Sequence, residues 1–119
     1  MYMIGIDLGG TKIVAVLIDQ YGKKIFTKRI KTKQNYHGTI NDIYDLVEEI
    51  QKKFDKIESI GIGMPGAVSL ETSLIKGANA EWLNGKPFRN DLEIKLNKTV
   101  KLENDANCFA LSEAVDGAG

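Results

Sequence analysis

Apolar residues recur along this chain with two different periods, and the change of period predicts where strands give way to helices. Residues 4–8 and 13–18 are apolar runs rich in β-branched side chains, as buried strands are. Residues 24–32 carry several lysines, which suits an exposed edge strand. Residues 59–64 and 100–104 alternate apolar positions with glycine or polar ones. Five strands are therefore expected.

Three further segments have the longer period of an amphipathic helix. Apolar residues recur at three- and four-residue steps over residues 40–54, and Thr39 with Asp42 resembles a capping box at the start of that helix. Because proline is favoured in the first helical turn, a second helix is predicted over residues 87–96. A third is predicted over residues 106–115, where small apolar residues fall on one side.

The predicted order of elements is β-β-β-α-β-α-β-α. Three consecutive antiparallel strands are followed by crossover units that add parallel strands. The fold class is therefore α/β, with a mixed five-stranded sheet and helices on both faces. This is the layout of the ribonuclease H-like half-domain, also called the actin-like ATPase half-domain. A fold of this kind does not determine a function by itself.

Composition narrows the class of protein. With 119 residues, 43% of them hydrophobic, the sequence predicts a single domain over residues 1–119. Sixteen basic and sixteen acidic residues cancel, so no net charge attracts nucleic acid or an anionic membrane. One cysteine, Cys108, and one histidine, His37, argue against a disulfide or a His/Cys metal site. No apolar run reaches membrane-spanning length and no signal peptide is recognised, so a cytoplasmic protein is expected.

A glycine turn between the first two strands carries the strongest chemical signal. Asp7 precedes Gly9 and Gly10, and Thr11 and Lys12 follow them. Glycines permit a sharp turn and let backbone N–H groups approach an anion, while a carboxylate at the end of a strand can hold a metal ion. Neither the Walker spacing nor the dinucleotide fingerprint is present. The turn predicts a phosphate and magnesium site, with an ordinary hairpin turn as the alternative.

A second polar cluster lies at the end of the last predicted strand. Asn104 and Asp105 stand at its junction with the final helix. They are expected at the same edge of the sheet as Asp7, which is where open α/β sheets bind ligands. A purely structural role as a helix cap is the alternative for Asp105.

The segment between Pro65 and Pro87 is predicted to be mostly irregular, and a loop of that length in a small domain is more often functional than not. Its side chains combine hydrogen-bonding groups with an aromatic ring, a mixture that suits a sugar. For Trp82 and Phe88 we favour a small satellite core over direct ligand contact. The polar residues considered for a sugar are Asn79, Glu81 and Asn84.

Four motifs give the chain a family resemblance. They are GIDLGGTK at residues 5–12, GIGMPG at residues 61–66, NAEWLNGKPF at residues 79–88 and ENDANCFALSEAVDG at residues 103–117. In order and spacing they resemble the N-terminal domain of ROK-family sugar kinases, above all the bacterial fructokinase and mannokinase branch, with N-acetylglucosamine kinases next. The resemblance covers essentially the whole chain.

The resemblance implies ATP-dependent transfer of a phosphoryl group to a hexose hydroxyl, with Mg²⁺ as the metal. Asp105 would be the general base and Asn104 would orient the sugar, since phosphoryl transfer needs little beyond an oriented nucleophile and charge compensation. Gly66 matches a sugar-contacting position, and Asn79 lies near another. The matching phosphate loop comprises Gly9, Gly10, Thr11 and Lys12, and Asp7 matches the carboxylate associated with Mg²⁺.

The resemblance also implies a C-terminal lobe that this chain lacks, with a further phosphate loop, sugar contacts, a zinc motif and the adenosine pocket. We therefore expect the 119-residue chain alone to be inactive, because half a cleft does not position both substrates. We also expect it to self-associate, or to form a homodimer, through the surface that would meet the missing lobe. Which hexose is the substrate stays open.

Two other classes of function stay open as well. One is a non-catalytic lobe that binds sugar or regulates another protein. The other is a ribonuclease H-like nuclease with Asp7 and Asp105 as metal ligands, which would need more carboxylates and a basic surface, and the balanced charge argues against it. Cys108 falls within a predicted helix of small apolar residues, so it is interpreted as a packing residue and not as a nucleophile.

Overall fold

The structure is a computed structural model that describes residues 2–64, 67–68, 71–78 and 80–104. The elements follow the predicted order, with two short additional strands and a 3₁₀ turn over Glu81–Leu83. In chain order they are β1 (Tyr2–Leu8), β2 (Lys12–Asp19), β3 (Lys24–Lys31), α1 (Tyr36–Lys53), β4 (Ile57–Met64), β5 (Ala67–Val68), β6 (Ile75–Lys76), α2 (Phe88–Leu96) and β7 (Val100–Asn104).

Five of these strands form one mixed sheet in the order β3-β2-β1-β4-β7. β1 pairs antiparallel with β2, and β2 with β3. β1 pairs parallel with β4, and β4 with β7. The predicted mixed five-stranded sheet and its edge strand β3 are therefore confirmed. The helix predicted over residues 106–115 lies outside the described residues.

One face of the sheet forms the hydrophobic core. In register, Ile6 of β1 lies between Ala15 of β2 and Ile62 of β4, and all three side chains are fully buried. Both described helices cover this face, as Ile43 of α1 and Leu92 of α2 are also fully buried in the same cluster. Each isoleucine or leucine buried in this way contributes about 1.5–3 kcal/mol to folding.

The opposite face of the sheet is bare where β1 meets β4, because both strands carry glycine there. Gly5 of β1 stands directly beside Gly61 of β4. Among the described residues, no atom lies within 4 Å of the place where a Cβ would be added to either glycine. This part of the face is therefore bare of side chains, and Asp7 projects on this side because alternate residues of a strand share a face.

The first helix begins earlier than the sequence predicted. Asn35 is its N-cap, and the Asn35 side chain accepts a hydrogen bond from the Gly38 N–H at 2.6 Å. Thr39 is fully buried and donates its hydroxyl to the Asn35 carbonyl at 2.9 Å, while Asp42 pairs with Lys33 at 3.2 Å. The predicted capping box of Thr39 and Asp42 is therefore wrong. Asparagine caps helices at least as well as threonine, so the earlier start is favourable.

The segment before α2 is more ordered than predicted. β5 and β6 pair as a small antiparallel ribbon, and the 3₁₀ turn follows. Ile75, Leu83 and Phe88 are buried at 2% exposure or less within the main core. The expected satellite core is therefore part of the single core. Within the described residues, no helix is both long and apolar enough to cross a membrane.

Candidate functional site

Three parallel strands end at the same edge of the sheet. Asp7 near the end of β1 stands opposite Gly63 of β4, and Met64 at the end of β4 stands opposite Asn104 of β7. Because neighbouring strands lie about 4.8 Å apart, the ends of β1 and β7 are about 10 Å apart across β4. The structure therefore brings Asp7 and the Asn104 backbone to one edge, as predicted. The predicted site residues Gly66, Asn79 and Asp105 lie outside the described residues.

The turn from β1 to β2 lies at this edge. The Gly9 N–H donates to the Lys12 carbonyl at 3.0 Å, and the side chains of Thr11 and Lys12 are exposed. A hydroxyl and an ammonium group therefore face solvent beside β1, whose penultimate residue is Asp7.

The two glycines of this turn do not need glycine for their backbone conformation. Neither Gly9 nor Gly10 adopts a positive φ. A Cβ on Gly9 would approach the Lys12 carbonyl oxygen to 3.3 Å, whereas a Cβ on Gly10 would meet no described atom within 4 Å. The fold therefore places no visible demand on Gly10, and its bare backbone is open to approach by a ligand.

Two residues that the sequence did not single out hold the turn from behind. The Thr32 hydroxyl donates to the Gly9 carbonyl at 3.2 Å, and the Gln34 side-chain amide donates to the Gly10 carbonyl at 3.2 Å. The Thr32 N–H donates to the Thr11 carbonyl at 3.0 Å. No spacing in the sequence could have indicated these contacts, because the partners lie 23 and 24 residues apart along the chain.

Two residues considered for a sugar use their polar groups within the fold. The Asn84 side chain accepts from the Ala78 N–H at 2.9 Å and donates to the Ala78 carbonyl at 3.3 Å. The Trp82 indole N–H donates to the Thr39 hydroxyl at 2.8 Å. Asn84 therefore closes the loop before α2 and Trp82 fastens that loop to α1, while the Glu81 side chain is exposed.

Two ionisable groups with a perturbed pKa lie in the packing between elements. Burial, and then the hydrogen bond that its hydroxyl donates to Asp91, raises the pKa of Tyr36. The Lys28 ammonium, 2.6 Å from the Glu49 carboxylate, lowers the pKa of Glu49. The first contact joins α1 to α2 and the second joins α1 to β3. Both are structural contacts and do not contribute groups to the sheet edge.

The donor set fits magnesium bound together with a phosphate ligand. Within the described part of the chain, no group of three or more His, Cys, Asp or Glu side chains could hold a metal by itself. Mg²⁺ does not require such a cage, since it commonly uses one or two carboxylates, several waters and the oxygens of substrate phosphates. Asp7, at the end of β1 and next to the glycine turn, is placed for that mode of binding.

Sequence comparison assigns most of the chain to one group of proteins. The profile of the ROK family matches residues 3–119. An N-acetyl-D-glucosamine kinase of Haemophilus influenzae (strain 86-028NP) is 41% identical over 113 residues, which cover 94% of this chain and 37% of the relative. The chain therefore spans a little over a third of the length of the curated relatives it matches.

Solved structures support the same assignment. A ROK family glucokinase from Streptomyces griseus, in complex with glucose and AMPPNP, matches with a TM-score of 0.85 and 31% identity over 100% of this chain and 38% of its own. A ROK hexokinase from Thermus thermophilus matches with a TM-score of 0.81 and 30% identity over 95% of this chain and 38% of its own. The predicted actin-like ATPase layout is confirmed by these matches.

Proposed function

We propose a function from one premise: the chain belongs to the ROK family. The protein that contains it is an ATP-dependent hexose kinase, and residues 1–119 form the N-terminal lobe that binds sugar and phosphate. The observation that carries the proposal is the shared edge of the sheet, to which β1, β4 and β7 bring the end of the Asp7 strand, the glycine turn and Asn104.

The phosphate side of the proposed site uses the glycine turn. Backbone N–H groups around Gly10 donate to phosphate oxygens, because Gly10 has no side chain of its own to obstruct them. Thr11 and Lys12 add a hydroxyl and a positive charge from their exposed positions. Asp7 holds Mg²⁺, directly or through water, and when bound this ion offsets the negative charge of the phosphates.

The sugar side of the proposed site uses the end of β7 and the segment after β4. Asp105 accepts the proton of the attacking hydroxyl, and Asn104 orients the sugar. Gly66 and Asn79 supply further sugar contacts. The separation of about 10 Å between the ends of β1 and β7 leaves room for the sugar hydroxyl and the transferred phosphoryl group between them.

The proposed substrate class is a hexose. The motif resemblance favours fructose or mannose, whereas the relatives compared above are an N-acetyl-D-glucosamine kinase and a glucokinase. The motifs and the relatives agree on a sugar kinase and differ on the sugar. The assay below therefore includes fructose, mannose, glucose and N-acetylglucosamine.

A second lobe completes the proposed cleft. The chain covers 37% of the Haemophilus influenzae relative, and the remainder of such a protein would supply the nucleotide pocket and the opposing sugar contacts. We therefore expect no sugar phosphorylation by residues 1–119 alone, because the two substrates must be held together and in line.

The decisive experiment is a coupled assay of ATP consumption by the complete protein. Fructose, mannose, glucose and N-acetylglucosamine are tested in turn, with Mg²⁺ and with a chelator. We expect Mg²⁺-dependent turnover with one or more of them, and a loss of about 10²-fold or more in Asp105→Asn, as expected for removal of a general base. Cys108→Ala is the control and should retain activity, because we interpret Cys108 as a packing residue.

Two further assays of the complete protein, sugar binding and nucleic-acid cleavage, test the alternative functions. Sugar binding without ATP consumption would indicate a non-catalytic lobe. Cleavage of nucleic acid with Mg²⁺ or Mn²⁺, and no sugar-dependent turnover, would indicate a nuclease. Turnover of Asp105→Asn within a few-fold of the parent would contradict its assignment as the base.

A further inference from the structure

We infer that Thr32 and Gln34 are positioning residues for the phosphate-binding turn, and that they set the direction of its backbone N–H groups. The inference rests on the proposed function, because it assigns a role in nucleotide binding to residues outside the glycine turn. Neither residue belongs to the four motifs that carry the family resemblance.

Three consecutive carbonyl groups of the turn accept hydrogen bonds from these two residues. The Gly9 carbonyl accepts from the Thr32 hydroxyl at 3.2 Å, and the Gly10 carbonyl accepts from the Gln34 amide at 3.2 Å. The Thr11 carbonyl accepts from the Thr32 N–H at 3.0 Å. The carbonyl side of the turn is thus held by the segment that leads from β3 to α1.

Planarity of the peptide bond connects these carbonyls to the proposed ligand. In a trans peptide the N–H of the next residue points opposite to the carbonyl. Holding the three carbonyls toward the β3–α1 connection therefore directs the N–H groups of Gly10, Thr11 and Lys12 to the other side. Donors fixed in this way before the ligand arrives need little reorganisation when charge must be stabilised.

The two side chains add contacts that the sheet does not need. The β2–β3 ladder extends to the pair Lys12 and Lys31, and the Thr32 N–H continues it by one bond. Among the described residues, the Thr32 hydroxyl and the Gln34 amide donate hydrogen bonds to the turn only. Gln34 is exposed, so water would replace its bond at little cost to stability.

The test uses the complete protein and compares the KM for ATP with the KM for the sugar. Thr32→Val removes the hydroxyl and keeps the shape of the side chain. We expect it to raise the KM for ATP roughly 3- to 10-fold, the range that corresponds to one net hydrogen bond. The KM for the sugar and the unfolding midpoint in urea should stay close to the parent. Thr32→Ser should restore the KM for ATP, since it keeps the hydroxyl.

Two further variants make the test specific. Gln34→Leu removes the second side-chain bond from an exposed position, so it should fold and raise the KM for ATP by a smaller factor, about 2- to 3-fold. Thr27→Val is the matched control, because it removes an exposed hydroxyl from the neighbouring strand β3, well away from the turn. It should leave both KM values unchanged.

The possible failures are distinguishable. If the parent is active and both Thr32→Val and Gln34→Leu keep its KM for ATP, the positioning role is overturned. The proposed function is not affected by that result. Equal changes in both KM values with lower stability, not rescued by Thr32→Ser, also overturn it. A complete protein without ATP-dependent sugar phosphorylation overturns the proposed function and this inference together.

Discussion

Strand β2 begins at one glycine-containing turn and ends at another, and the two turns are built in opposite ways. In the turn after β2, the Asp19 carboxylate accepts from the N–H groups of Tyr21 and Lys23, each at 2.9 Å. The Gly22 N–H donates to the Asp19 carbonyl at 3.0 Å, and Gly22 has a φ of 83°. The polar groups of this turn are therefore hydrogen-bonded to other residues of the same turn, and its conformation requires glycine at position 22.

The turn before β2 has one internal backbone bond, from the Gly9 N–H to the Lys12 carbonyl, but it differs in both respects. Gly9 and Gly10 avoid positive φ, and the carbonyls are bound from outside by Thr32 and Gln34. The comparison suggests a criterion for glycine turns. Glycine in a structural turn serves the backbone conformation, whereas Gly10 leaves space that nothing in the described fold fills. The largest effects of mutation at the two turns should therefore fall on different properties, activity in one and stability in the other.

The largest expected effect is on activity, in Gly10→Ala. The added Cβ meets no described atom within 4 Å and the backbone is not left-handed, so the free energy of unfolding in urea should stay the same or rise by up to about 1 kcal/mol. Activity of the complete protein should fall by about 10²-fold, because the methyl group obstructs the approach of phosphate to the backbone donors. A stable variant with parental activity would show that Gly10 has no such role.

The second effect is on stability, in Gly22→Ala. An alanine at a φ of 83° should lower the free energy of unfolding by about 1–2 kcal/mol, with the kcat/KM of the complete protein unchanged. Gly22→Asn is the matched control and should cost less, because asparagine tolerates the left-handed region better. Loss of activity in a folded Gly22→Ala protein would remove the contrast between the two turns.

The third effect is also on stability, in Asp19→Ala. This change removes the acceptor of two backbone N–H groups and should cost about 1 kcal/mol in urea unfolding. Asp19→Asn keeps a side-chain oxygen in the same place, so most of that loss should be recovered. If both variants unfold at the parental urea concentration, the carboxylate does not stabilise the turn.

The smallest effect concerns β3, which links the two turns. Its Lys28 pairs with Glu49 of α1, and this contact lowers the pKa of Glu49. A lowered pKa in the folded state stabilises the protein above the ordinary glutamate range near pH 4–5, and this contribution is lost as the pH falls through the lowered value. Glu49→Gln should therefore melt slightly below the parent at pH 7 and equally with it at low pH. A difference in Tm that persists unchanged into acid would exclude this pair as its source.

The fold could be predicted from the sequence where burial determines the pattern of residues. The strands β1, β2 and β4 fill the core with β-branched side chains, and their positions were anticipated to within two residues. The predicted start of α1 was wrong because Asn35 and Thr39 are both good N-cap residues. Only the burial of Thr39 in the folded protein distinguishes the two. The strands β5 and β6 were missed because two residues are too few to show a period.

Part of the candidate site could also be predicted from the sequence, and part of it could not. Asp7 and Asn104 could be placed at one edge because parallel strands end together, which is a rule of topology. Thr32 and Gln34 could not be found, since their contacts depend on how the chain after β3 passes behind the turn. Asn84 and Trp82 offered polar groups in the sequence, but their hydrogen bonds within the fold became visible only in three dimensions.

The strand order has a consequence for how the molecule folds. Ile4 of β1 pairs on one side with Leu17, across a short hairpin, and on the other side with Ile60, which is reached only after α1. Since closing a longer loop costs more entropy, we expect the meander of β1, β2 and β3 to form before the parallel pairs. The glycine turn belongs to that meander, whereas the end of β7 joins the sheet last. The phosphate half of the edge is then an early product of folding, and the sugar half is a late one.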